Sequence, residues 1–163
     1  MIRHGAIVAG LLWVLAISGW NIVENENILA QGRIVRLELA PVDPRSLMQG
    51  DYMAINYAVQ NAVRGTSPRE DGFVVMRLDE RGVGQYLRTQ PAAEPLATGE
   101  IALRYRIRGR NVRIATNAFF FQEGDEPKYR HARFGEFRIG NSGEPRLVAL
   151  LDASLQKLGD NRF

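Results

Sequence analysis

At 163 residues, 45% of them hydrophobic and 24% charged, the chain is long enough for one domain with a core of its own. It has no cysteine, which excludes a disulfide framework, and its two histidines are poor support for a zinc site. The formal net charge of +3, or +2 once Arg3 is set aside with the first segment, is too small to mark a strongly basic surface.

Behind the short basic start Met1 to His4, residues 5–23 form a nearly unbroken apolar run. Nineteen residues at about 1.5 Å each cover roughly the ~30 Å hydrocarbon core of a bilayer, so the run reads as a retained transmembrane anchor. A cleaved secretory signal has a shorter apolar stretch and a small-x-small site, which Trp20-Asn21-Ile22-Val23 does not supply. Arg3 precedes the run and Glu24 and Glu26 follow it, an asymmetry that keeps the amino terminus cytoplasmic. The expected location is the inner membrane, single-pass, with residues 32–163 as an exported, periplasmic domain and residues 1–31 as anchor helix and short stalk. No nucleic-acid partner is expected outside the cytoplasm.

Residues 24–31 lack Pro and Gly and end at Gly32, a good helix stop. From there the period shifts to two. Arg33 to Ala40 places Val35, Leu37 and Leu39 on one face and Arg36 and Glu38 on the other, a half-buried strand. Further strands are expected at residues 52–60, 72–79, 84–90, 100–108, 112–121, 132–140 and 145–152, separated by Gly- and Asn-containing turns. Arginines alternate with apolar residues at Arg104-Tyr105-Arg106-Ile107-Arg108, the pattern of a sheet with one wet face, which could also attract anionic lipid headgroups. Helical interruptions are expected at residues 126–131 and 152–158. The fold class is therefore mainly β: a single amino-terminal transmembrane helix followed by an antiparallel β sandwich or barrel-like domain with one or two short helices.

The densest local signal is Pro41-Val42-Asp43-Pro44-Arg45-Ser46-Leu47-Met48-Gln49-Gly50-Asp51-Tyr52-Met53-Ala54-Ile55-Asn56-Tyr57. It reads as an Asp-Pro turn capped by Asp43, a turn of helix begun by Pro44, and Gly50 readmitting the chain to a strand. On that strand Asp51, Met53, Ile55 and Tyr57 share the core side, so an ionised Asp51 needs backbone N–H groups or Arg45 as partners. The string Gly50 to Tyr57 resembles the signature of the bacterial GDYXXLXY protein family, with Ile55 in place of Leu. Residues 41–47, the run Phe119-Phe120-Phe121-Gln122-Glu123-Gly124 and the segment Gly143 to Leu147 are similar to further segments of that family. The resemblance implies a membrane anchor, an exported β-rich domain, a multipass membrane protein as partner, and no catalytic role for the motif residues.

An enzyme would have few parts to work with. Ser46, on a tight turn near Asp51, is a weak candidate nucleophile; it would need His131, a lysine (Lys128 or Lys157) or a carboxylate, as in a membrane-anchored hydrolase or peptidase. The pair Asp43 and Asp51 could hold a hard cation, but such residues more often cap turns and hold an arginine. No metal or cofactor is expected. The favoured reading is a non-enzymatic accessory or interaction subunit. Candidate binding residues are Asp43, Arg45, Gly50, Asp51, Tyr52 and Tyr57 of the motif, with Phe120 and Glu123; alternation along Phe119-Phe120-Phe121 turns Phe120 outward, beside Tyr105 or Tyr129.

Overall fold

The computed structural model describes residues 2–40, 48–49, 52–109, 111–140 and 142–161, with backbone alone at residues 2–6, 8–9 and 48–49. The first helix, α1 (Ile2–Gln31), stops where the Gly32 N–H bonds the Ile28 carbonyl at 2.8 Å. Strands follow as β1 (Arg33–Glu38), β2 (Met48–Gln49) and β3 (Tyr52–Ala54), then helix α2 (Ala58–Gly65). Next come β4 (Gly72–Leu78), β5 (Gly84–Gln90), β6 (Glu100–Arg108), β7 (Asn111–Ile114) and β8 (Ala118–Phe120). A single turn of helix, α3 (Glu126–Tyr129), precedes β9 (Phe134–Ile139), β10 (Pro145–Leu151) and β11 (Lys157–Asp160).

The strands make three antiparallel sheets, ordered β1-β9-β10-β11, β2-β3-β8 and β5-β4-β6-β7. Two isolated bridges join them: Arg36 with Val83 links the first sheet to the third, and Leu39 with Tyr57 ties the end of β1 to the chain leaving β3. The alternation read from sequence is realised in β1, where Val35 and Leu37 are fully buried; β9 alternates too, with Phe137 and Ile139 facing the same core. One apolar cluster runs through all three sheets, from Val35 and Phe137 through Met53 and Phe119 to Val74, Leu103 and Ile114.

Three expectations are corrected. The strand expected over residues 52–60 ends at Ala54, and residues 58–65 form α2, whose Val59 and Val63 face inward at helical spacing. The Gln60 side chain fixes the changeover, accepting the Tyr57 N–H at 2.9 Å and donating to the Val112 carbonyl at 3.2 Å. The single strand expected over residues 112–121 is broken into β7 and β8 at Ala115, which takes a positive φ of 56°. No helix forms at residues 152–158. There Asp152 accepts from the N–H and hydroxyl of Ser154 and from the Gln156 N–H, at 2.7–2.9 Å, closing a turn that leads into β11.

Candidate functional site

Where α1 meets the β body, two glycines let backbone and side chain touch. A Cβ on Gly140 would lie 2.8 Å from Ile28 Cγ1, and one on Gly32 would lie 2.3 Å from the Ile28 carbonyl oxygen, so Ile28 is buried in a seat that only glycines leave open. Polar ties fix the angle of the helix. Arg146 donates twice to Asn25 Oδ1, at 3.1 and 2.9 Å, and Arg138 donates to the Gly32 carbonyl at 3.1 Å. Beside this seat lies a groove of about 580 Å³ lined by Trp20, Val23, Glu24, Asn27, Gln31, Arg33, Ile139 and Ser142. A second groove, about 300 Å³, shares Arg33, Ile139 and Gly140 and continues past Leu96 and Glu100.

Above the seat the helix is bare. Ile7, Leu11, Leu12, Trp13, Val14, Leu15, Ile17, Trp20, Ile22 and Val23 are 49–75% exposed and lie on all sides of the axis. Asn21, the one amide among them, turns its Nδ2 back on the Ile17 carbonyl at 2.8 Å. Among the described residues no helix is long and apolar enough to cross a membrane; the side chains of Ile2 to Ala6, Val8 and Ala9 lie outside them.

The second region is the described half of the motif strand. Met53, Ile55 and Tyr57 are buried and Tyr52 is exposed, as alternation requires. The Tyr57 hydroxyl donates to the Thr116 carbonyl at 2.7 Å, its ring meets Phe137 edge-on at 5.3 Å, and burial drives its pKa far above the ordinary tyrosine value. Phe120 is 44% exposed and lies 6.1 Å from the Tyr52 ring, so its aromatic neighbour is Tyr52; Tyr105 and Tyr129, the neighbours expected from sequence, are buried. Phe119, Phe121 and Tyr129 pack together beneath it. The Phe120 N–H bonds Asn161 Oδ1 at 2.9 Å, and the Asn161 N–H bonds the Val148 carbonyl at 2.8 Å, closing the edge of β8 onto β10.

Asp43, Arg45, Ser46, Gly50 and Asp51 lie outside the described residues. Glu123 is exposed in the turn before α3, and His131 is exposed just after it. Lys128 pairs with Asp125 at 2.6 Å in the turn that opens α3, and Lys157 pairs with Asp160 along β11.

The model of the GDYXXLXY protein family matches residues 14–150, from the middle of α1 to the end of β10. The chain is a member of that family. No curated protein and no solved structure matches it. In this GDYXXLXY protein the second half of the signature string is a packing device: Ile55 and Tyr57 fill the core, and Tyr57 also bridges β1 and precedes α2.

One strongly perturbed group escaped the sequence reading. Glu100, nearly buried at the start of β6, accepts both arms of the Arg88 guanidinium at 2.9 Å and the Ala97 N–H at 3.0 Å. The Arg88 hydrogen bonds, then the Ala97 N–H, lower its pKa from 4.5 to about 2. The two residues are 12 apart on β5 and β6, strands that flank β4 on either side, so the β4-β5 and β4-β6 registers together bring them within reach.

Proposed function

We propose that this GDYXXLXY protein is anchored in the inner membrane by α1, carries its β body on the periplasmic side, and serves without catalysis as an interaction subunit of an integral membrane protein. One observation carries the reading: ten large apolar side chains surround α1 uncovered, on a helix whose far end is held to the β body by Ile28 and by the Arg146 bonds to Asn25. Leaving such side chains in water forgoes roughly 1.5–3 kcal/mol each, so α1 needs an apolar medium or an apolar partner. The sequence extends the apolar run back to Gly5, and the run's internal amide is satisfied by the helix backbone, as a span requires.

A protein partner is favoured by the placement of Trp13. It stands in mid-run, away from the interfaces where tryptophan rings favour residence, and with Leu12, Ala16, Ile17 and Trp20 it lines an apolar groove. The small Ala16 in that groove admits the close approach of another helix.

The experiment combines topology with capture. A phosphatase fused after Phe163 should be active and a fluorescent protein fused there dark, and the membrane fraction should hold the chain through alkaline carbonate. Purified in mild detergent, the intact protein should bring a multipass protein with it, and a Trp13→Ala, Leu12→Ala double variant should recover less. A fluorescent cytosolic fusion would overturn the anchor, and a clean monomer in every mild detergent would overturn the partner.

A further inference from the structure

The apolar groove at Trp13 and the groove beside the Ile28 seat are one. Leu12, Trp13, Ala16, Ile17 and Trp20 line the upper part, and Trp20, Val23, Glu24, Asn27 and Gln31 form the helix side of the lower, with Ile28 at its floor. At about 100° per residue all of these positions fall within roughly 160° of the helix surface, and Trp20 belongs to both parts. A single groove therefore runs down one face of α1, from the middle of the apolar run to the foot of the helix. Below the run it gains a second wall, where Arg33, Ile139 and Ser142 of the β body stand beside the helix.

Length decides between occupants. Gln31 lies about 12 Å beyond Val23 along the axis, whereas the headgroup layer past the hydrocarbon edge is roughly 5–8 Å thick, so a phospholipid that fills the upper part ends before the groove does. A helix suits both parts. It leaves no backbone group unsatisfied at membrane depth, and it can run on past the bilayer as a stalk, as α1 itself does to Gln31. The short side chains of Ala16 above and Ser142 below leave room for a neighbour at the interaxial distance of packed helices, about 8–10 Å.

Charge restricts which helix. Glu24 lines the groove just past the last residue of the apolar run, and among the described residues it has neither an ion pair nor a hydrogen bond. A second copy of α1 packed in parallel on the same face would bring Glu24 against its own counterpart, a like-charge contact that a helix of different sequence avoids. We infer that this groove seats one transmembrane helix of a different membrane protein, which sets a basic side chain against Glu24 at the bilayer edge and continues about two turns further, between α1 and the β body. The inference rests on the anchored-subunit reading above and deepens it, giving the partner an element, a face and a depth.

The test places the photoreactive residue benzoylphenylalanine, one position at a time, at Trp13, Asn27, Ile22 or Glu26 of the full chain in cells that make it natively; all four side chains are exposed, and the last two lie outside the groove. Cross-linked peptides are sequenced by mass spectrometry. The probes at Trp13 and Asn27 should reach one helix of the same multipass protein, at sites roughly 14 residues apart, and the probes at Ile22 and Glu26 should not reach that helix. Glu24→Lys should lose most of the Asn27 product, Glu24→Gln should lose less, and reversing the charge of the basic residue mapped nearest the Asn27 site should restore the Glu24→Lys yield. A product from Trp13 alone overturns the inference while sparing the partner reading, and a product from neither position overturns both. An Asn27 product with lipid, with a second copy of this chain or with a soluble protein overturns the inference, as does one without a matching Trp13 product. Should Glu24→Lys not reach the membrane, an Asn27 yield unchanged in Glu24→Gln overturns the charge pairing and with it the proposal.

Discussion

The helix and the β body use the same side chains in opposite ways. Leu15 on α1 is 58% exposed, whereas Leu37 on β1 is 1% exposed; Val14 stands bare while Val35 is sealed. In the body an apolar residue is stabilising because it fits neighbours on a pleated face, and its polar alternates face water. Along α1 from Ile7 to Val23 no face is polar, so position round the axis carries no information there and that stretch needs an apolar medium or partner round it. Packing against neighbours specifies the body. Surroundings specify the helix.

The sharpest way to break the comparison is to cut into the body. Tyr57→Ala removes a fully buried ring and its hydroxyl bond, and is expected to cost about 3–5 kcal/mol in urea-induced unfolding of the body, with membrane insertion of α1 unchanged. The converse is Leu15→Arg. It should oppose insertion by about 3 kcal/mol, read as the fraction resisting carbonate, and leave the urea midpoint of the body where it was. If either variant changes both readouts, the two regions are not independent. Tyr57→Phe keeps the ring and leaves the Thr116 carbonyl without its donor, so a loss of about 1–3 kcal/mol is expected on the same unfolding curve.

The smallest effect is a dependence on acid that belongs to the body alone. Because the Glu100 pKa is lowered to about 2 from 4.5, its pairing stabilises the body fully above pH 4.5, and that contribution is lost as the pH falls toward 2. Urea midpoints measured across that window should fall less steeply for Glu100→Gln than for the wild type. Parallel curves would show that the Arg88 fork contributes nothing to folding.

Much of this was legible before any coordinates. The helix stop at Gly32, the two-residue alternation of β1 and β9, and the outward turn of Phe120 between two buried neighbours each follow from one local rule. What escaped depended on distant partners. Helix α2 was hidden because Met53, Ile55, Tyr57 and Val59 alternate as a strand would, and the switch rests on Gln60 finding Val112, 52 residues away. The tail after Asp152 carries a good helix start, but its carboxylate spends itself closing a local turn. The pairing of Arg36, read as a wet-face residue, with Glu136 escaped as well, because a ladder between residues 100 positions apart settles it. Of the motif residues, Asp43, Arg45, Ser46, Gly50 and Asp51 lie outside the described structure, whereas Tyr52 and Tyr57 are placed, one on the surface and one in the core.

Strand β1 finds its ladder in β9, a partner that leaves the ribosome a hundred residues later, and Asn161 fastens the β8 edge later still. The first sheet therefore cannot close until β9 has been made. Its β1 edge must wait for a segment 100 positions on, and topology of this kind folds slowly because distant segments meet before any contact rewards them. During that wait the body is an open thread behind an apolar helix, without the breadth its sheets will give it.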